Sequence, residues 1–390
     1  MTRLPAAPSP SRAQAFALAG HLEAEWWERR DESYDPYDGL LGRFPPPFLR
    51  RQRAWRLAAV QLHKRSPVNL RPFFGIPPSR SSYGTGVFAS ACVTLERLHP
   101  DTSRRRRLEG RLDWLRALRT KGGWAYPFHV ETKTGSYPPT EPNVVCTVFA
   151  GEAFLDAAEH LGDRQALETA RDAAGFVLED LTAERDGRRH FTYLRGYDAL
   201  VHNANALAAR FVARCGRVSG DDALVAAAIE ALRPTIDAIA PDGSLVYGDA
   251  PSMQWVDGHH TGFVIESLWD VARRAQPRLE QPATKMAEFY ATRLFDGGRP
   301  QQSPGARYPV DAIAGAQGIQ TFARLGGRHL AKARSIAAFM VSRMLTRRGS
   351  FVYMRRRTHS KRIPYARWCD APMSCALAVL AAELADEDLD

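Results

Sequence analysis

The chain has 390 residues, of which 45% are hydrophobic and 25% charged, so it is long and apolar enough to bury a large core. Its 53 Lys and Arg against 43 Asp and Glu give a net charge of +10, but the basic residues are spread along the whole length and no helix-turn-helix, zinc-finger or RNP-type pattern accompanies them. Nucleic acid is therefore excluded as a partner, and an acidic small molecule or polysaccharide accounts for the charge equally well.

The N-terminal dozen residues, MTRLPAAPSPSR, are rich in Pro and Ser and are expected to be mobile. No apolar stretch there suits a signal peptide, and none elsewhere is long enough to span a membrane. The five cysteines, Cys92, Cys146, Cys215, Cys369 and Cys375, form neither a disulfide framework nor a zinc-ligand spacing. A reducing, cytoplasmic setting is expected. The sequence calls for no metal and no cofactor.

From about residue 52 onward the chain repeats itself. Small-residue apolar helices are predicted to begin near Gly84, Asn143, Asn203, His260, Asp311 and Asp370, at intervals of 59, 60, 57, 51 and 59 residues. Before each comes a second, amphipathic helix, with apolar residues at i, i+3, i+4 and i+7 and charges opposite. These fall near residues 51–65, 106–120, 164–181, 222–240, 283–295 and 331–345. Helices apolar all round are buried on both sides, whereas amphipathic ones face solvent on one side. Twelve alternating helices predict an all-α, (α/α)6 toroid. A single domain over 13–390 is expected, with an N-terminal helical extension and repeats near 52–99, 103–161, 163–217, 221–274, 279–325 and 327–386. An open solenoid of helical repeats would bury the same surfaces. Links leaving the buried helices are short, and those entering them run about twenty residues with Gly, Pro and aromatics. The long links must share one face, which is expected to carry the site while the other is closed.

The N-terminal ends of the buried helices point to that face and carry partial positive charge. WVDGHHTG places Trp255, Asp257, His259, His260 and Thr261 at one such end, which suits general acid–base chemistry as well as plain capping. YDALVHNAN supplies His202, Asn203 and Asn205, whose amides suit sugar hydroxyls or a carboxylate. Asn143, Asp311, Gln317, Arg367, Trp368 and Asp370 occupy corresponding places, Arg367 as a fork for an acidic ligand and Trp368 as a stacking face for a sugar. Of the loop aromatics Trp124, Tyr126, Phe191, Tyr193, Tyr247, Phe351 and Tyr353, most are expected to plug helix pairs together, with a tyrosine such as Tyr126 or Tyr247 left to donate a proton. There is no G-x-S-x-G elbow, phosphate loop, dinucleotide fingerprint or H-E-x-x-H.

The succession YDPYDGL, GGWAYPF, PNVVCTVFAGEAFLDA, VHNANALAA, WVDGHHTGFVIESL, YPVDAIAGAQGI and YARWCDAPM, spanning about residues 34–385, resembles a poorly characterised bacterial family of toroid proteins associated with polysaccharide biosynthesis. The resemblance implies an α/α toroid whose pocket residues would be Asn143, His202, Asn203, Asn205, Asp257, His260, Thr261, Gln317, Arg367 and Trp368. It also implies a glycan partner, with other proteins of polysaccharide biosynthesis as further partners. The chain departs from the family at Gly258-His259 and at Ala314. More distantly the toroid is similar to uronate lyases, unsaturated glucuronyl hydrolases, sugar 2-epimerases and terpene cyclases, among which fold does not choose. The expectation is an enzyme acting on a uronate-containing polysaccharide or oligosaccharide by lyase, C5-epimerase or hydrolase chemistry. His260 would act as acid or base, Asp257 would orient it, and Asn143, Asn203 and Arg367 would neutralise the sugar carboxylate. A hydrolase would instead pair Asp257 with Asp311 or Asp370. A non-catalytic glycan-binding factor and an isoprenoid-binding toroid are the alternatives.

Overall fold

The computed structural model describes residues 8–384. In chain order its helices are α1 (Arg12–Glu28), the single turn α2 (Pro47–Arg50), α3 (Arg53–Arg65), α4 (Ser82–Leu98), α5 (Thr102–Leu118), α6 (Val144–Leu161), α7 (Arg164–Asp180), α8 (His202–Ser219), α9 (Asp222–Asp237), α10 (Gly258–Arg274), α11 (Glu280–Arg293), α12 (Ala312–Leu325), α13 (Leu330–Met344) and α14 (Ala371–Glu383). The even-numbered helices from α4 to α14 form an inner ring. Each packs on the next, and α14 packs back on α4, so the ring is closed and the open-solenoid alternative falls. Outside it α5, α7, α9, α11 and α13 each lean on the inner helix before them in the chain. The (α/α)6 toroid read from the periodicity is the observed fold.

Inner helices are rich in Ala, Gly, Val and Cys because they are covered on both flanks. A Cβ at Gly86 of α4 would lie 2.3 Å from the Phe149 carbonyl oxygen of α6, so that crossing admits only glycine. Acidic and amide caps start the helices where the sequence placed them: Asn143, Asp257 and Asp311 accept from Cys146 N, His260 N and Ile313 N. All five cysteines are buried and free.

The first pair differs from expectation. The outer place between α14 and α4 is held by α1, the helix expected as an extension, and not by α3. Trp26 of α1 donates to the buried Asp370 carboxylate (2.9 Å), and Arg107 and Arg111 of α5 close on Glu23. Residues 1–7 of the stretch expected to be mobile lie outside the described residues. From Ser9 on the chain is held, because Ser9 donates to the Arg334 carbonyl and Ser11 forms a capping box with Gln14.

Helix α3 belongs to an excursion over the mouth of the ring. Its base is pinned where Glu32–Ser33 pairs antiparallel with Ser79–Arg80. Arg53 and Arg56 of α3 both bind Glu131 of a neighbouring hairpin, and the buried Lys361 ammonium donates to the carbonyls of His63 and Lys64. These ties bring Gln61, Lys64 and Arg65 to the rim of the central cavity. No helix among the described residues is long and apolar enough to cross a membrane.

Candidate active site

The inner helices present their N-terminal ends to a central cavity of about 470 Å³. Its floor is aromatic: Tyr83 stacks on Phe149 at 4.0 Å, and Phe149 meets Phe263 edge-on at 5.6 Å. Its walls carry His259, His260, Asp257, Asp311, Asn203, Arg367, Trp368, Tyr126, Tyr247 and Trp255.

The polar centre lies at the start of α10. Asp257 caps the helix through Oδ1, which accepts from His260 N (3.1 Å). Its Oδ2 lies 2.6 Å from His260 Nδ1 and accepts from Trp255 Nε1 at 3.0 Å. His259 Nδ1 stands 3.3 Å from the other oxygen, with its ring 3.8 Å from that of His260. Burial works to raise the Asp257 pKa, but the two imidazoles and these hydrogen bonds outweigh it and hold the carboxyl well below the usual range. Burial, aided by the charge of His260, pushes His259 down to about 3, so it is a neutral imidazole at physiological pH. The bond from Nδ1 to Asp257 leaves Nε2 of His260 as the nitrogen available for proton transfer. The ligand atoms of Asp257, His259 and His260 lie within 4.8 Å of one another, a set able to hold a metal ion, although the 2.6 Å contact is itself that of a hydrogen bond.

Asp311 contrasts with Asp257. It is buried, accepts a backbone hydrogen bond from Ile313 N (3.1 Å), and has no ion-pair partner among the described residues. Burial pushes its pKa up to about 7. One cavity thus holds an ionised carboxylate tied to a histidine and a second carboxyl poised near neutrality. Tyr247 stacks on Trp255 (4.5 Å) and meets His260 edge-on (4.6 Å), and Tyr126 shares a 2.8 Å hydroxyl contact with Tyr193. Burial raises both phenols, so each stays protonated.

Arg367 faces the cavity already paired: Nε and Nη2 grip the two oxygens of Asp35 at 2.7 and 2.8 Å. Its guanidinium lies 4.9 Å from the ring centres of Tyr126 and Trp368. The buried Oδ1 of Asn203 and the Trp368 indole nitrogen have no hydrogen-bond partner among the described residues, which makes both available to a ligand.

Other residues singled out in the sequence lie elsewhere. Asn143 is buried as a helix cap. Asn205 straps the 188–191 strand to α9 through Phe191 N, Ala231 O and Thr235 Oγ1. His202, lowered to about 4 by burial, contacts the same Thr235. Thr261 Oγ1 donates to its own helix at the Asp257 carbonyl. Asp370 binds Trp26 and the Phe351 amide away from the cavity. Gln317 lies below the floor, donating to Glu266 and Thr321. There the far end of the ring, expected to be closed, holds a second hollow of about 170 Å³ lined by paired charges such as Glu152, Arg210, Arg214 and Arg324. Sequence reasoning missed Asp35 and Tyr37, although both stand in the YDPYDGL motif, and the rim cations Lys64, Arg65, Lys133 and Arg356. It had no signal that the excursion folds over the mouth.

No family model matches the chain, and no curated protein matches it in sequence. Solved structures do match in fold. A cellobiose 2-epimerase from Spirochaeta thermophila DSM 6192 superposes with a TM-score of 0.60 at 15% identity, covering 88% of this chain and 98% of that one. A GH76 alpha-mannanase from Bacteroides thetaiotaomicron gives 0.62 at 12% identity, over 78% and 86%. A possible member of the GH105 family from Salmonella enterica serovar Paratyphi A gives 0.63 at 11% identity, over 96% and 94%. At these identities what is shared is the α/α toroid, a fold in which these neighbours carry carbohydrate-active enzymes.

Proposed function

We propose that the protein is a carbohydrate-active enzyme that transfers protons at an acidic sugar, as a uronate lyase or C5-epimerase. The observation that carries this reading is the 2.6 Å contact between His260 Nδ1 and Asp257 in a cavity that also holds Asp311. His260 takes the proton next to the sugar carboxylate through Nε2, and Asp257 holds the imidazole and stabilises its charge. Asp311 is the proton donor, to the sugar carbon or to the departing oxygen. Its pKa of about 7 matches neutral pH better than phenols held above their ordinary 10, so Asp311 takes precedence over Tyr126 and Tyr247. Lys64, Arg65, Lys133 and Arg356 outnumber Asp257 and Asp311 around the cavity and suit a ligand carboxylate. They take the neutralising part that the sequence reading gave to Asn143, Asn203 and Arg367. Trp255 and Trp368 offer faces for sugar rings. The toroid neighbours named for an epimerase and for glycoside hydrolases lend the same direction, and the charged lining weighs against an isoprenoid ligand.

A hydrolase is the second reading, favoured by two carboxyls of unlike protonation in one cavity. Against it, both Asp257 oxygens are engaged by a helix cap, an indole and two imidazoles, which leaves little capacity to attack or to activate water. The test incubates the protein with acidic polysaccharides in D2O and follows deuterium at C5, unsaturated-product absorbance and reducing ends. Exchange or absorbance that His260→Ala abolishes supports the proposal. New reducing ends without unsaturation favour the hydrolase, and glycan binding without any turnover refutes catalysis.

A further inference from the structure

Between Gly39 and Leu95 the sequence holds no Asp or Glu, while Arg43, Arg50, Arg51, Arg53, Arg56, Lys64, Arg65, Arg71 and Arg80 all fall there. Arg53 and Arg56 pair with Glu131, Arg71 with Asp38 and Arg80 with Asp31. Arg43, Arg50, Arg51, Lys64 and Arg65 have no carboxylate partner among the described residues. The same excursion gathers exposed apolar side chains. Of the nine large hydrophobic residues exposed among the described residues, six belong to it: Leu41, Phe48, Trp55, Leu62, Val68 and Phe73. Phe73 is 85% exposed, Phe48 70% and Val68 64%, values that tertiary packing does not explain. Some of this surface is continuous, since Trp55 meets Phe44, Phe44 meets Phe74 and Phe74 meets Phe73 at ring separations of 5.2 to 6.2 Å.

We propose that this excursion docks the protein onto an anionic lipid surface, Phe48 and Phe73 entering the acyl boundary and Arg43, Arg50 and Arg51 meeting the headgroups. The combination of exposed aromatics and aliphatics with uncompensated positive charge is what an interfacial binder requires. A second copy of the chain is disfavoured, because a symmetric contact would set these cations against one another. An acidic glycan would account for the arginines but not for Leu41, Leu62 and Val68, which offer no flat face to a sugar ring. The docking surface adjoins the cavity, for Gln61, Lys64 and Arg65 of the same helix line its rim. A bilayer bound there lies beside the mouth, within reach of a saccharide carried at headgroup level. The inference does not depend on which reaction the cavity performs.

The test is co-sedimentation of the full chain with vesicles of phosphatidylcholine alone and of phosphatidylcholine with about one-third phosphatidylglycerol. The expected result is binding to the anionic vesicles, weakened by salt, with little binding to the neutral ones. Phe48→Ser with Phe73→Ser is expected to lower the partition coefficient at least tenfold with the circular dichroism spectrum unchanged. Arg43→Ser with Arg51→Ser, neither of which lines the cavity, is expected to lower it about thirty-fold at low salt. Absence of vesicle binding, or binding that neither pair alters, overturns the proposal. So does a soluble acidic polysaccharide that binds the chain with the same dependence on Phe48 and Phe73, since the patch is then a glycan platform.

Discussion

Replacing Asp311 with Asn tests the least ordinary group in the cavity. Burial raises its pKa from 3.8 to about 7 in the fold, while in the unfolded chain it titrates normally. Between roughly pH 4 and 7 the folded state therefore holds a proton that the unfolded state has released. The stability this contributes is complete below pH 3.8 and is lost as the pH rises through that window. At 1.36 kcal/mol per pH unit the loss approaches ~4 kcal/mol by pH 8, as an upper bound. Asn cannot ionise and still offers Oδ1 to the Ile313 amide, so the cap survives. Wild type and Asp311→Asn should then melt together near pH 4 and diverge in favour of the variant toward pH 8. With an unfolding entropy of about 2.1 cal/mol/K per residue over 390 residues, ~4 kcal/mol corresponds to about 5 °C in Tm. Other titrating groups cancel in the difference between the two proteins. Paired thermal melts from pH 4 to 8 make the measurement. A gap that stays constant across that range would show Asp311 ionised throughout and remove it as the proton donor.

Asp257→Asn keeps a helix cap but loses the charge that pairs with His260, so turnover of an acidic glycan should fall at least 100-fold with binding by titration calorimetry little changed. Arg367→Met leaves Asp35 buried without its bidentate partner and should cost about 3–5 kcal/mol in denaturant unfolding, far more than an exposed pair would. Deleting residues 1–31 removes α1; because α1 fills an outer place of the ring and meets Asp370, Arg107, Arg111 and α14, the truncated chain should fail to melt cooperatively. A true extension would come away without effect.

The ring was legible because closure follows from a repeat of buried and half-buried helices, and the caps Asn143, Asp257 and Asp311 mark where the inner helices begin. The exchange of α1 for α3 was not legible. Amphipathic periodicity records that a helix has one covered face and says nothing of which neighbour covers it. Helix α3 has the stronger amphipathic pattern and sits at the right interval before α4, while α1 is joined to the ring by bonds such as Trp26 to Asp370, 344 residues apart. Within the site the limit is angular. Successive residues on a helix turn by about 100°, so Asn203 reaches the cavity while His202 and Asn205, in the same motif, face Thr235 of α9. Gln317 stands more than a turn into α12 and passes below the aromatic floor. Asp35 lies 332 residues from Arg367, and no local pattern joins the two.

The two ends of the ring differ for a reason built into the helix. All six inner helices point their positive ends at one face, and that face holds the carboxylates of Asp257 and Asp311. At the opposite face the negative ends converge, and arginines gather there: Arg214 on Glu152, Asp156 and Glu159, Arg210 on Glu152, Arg274 on Glu159 and Asp270. Each of these side chains opposes the dipole it meets, but the outcome is unequal. At the far face every one of these arginines has a carboxylate, which leaves a neutralised network with little to offer a substrate. At the near face Asp257 is tied to His260 rather than to an arginine, and burial leaves Asp311 a proton of its own. A histidine tied to an ionised carboxylate, beside a carboxyl that titrates near neutrality, is what acid–base chemistry uses, so the near end suits the proton transfer proposed above while the far end is packed as structure.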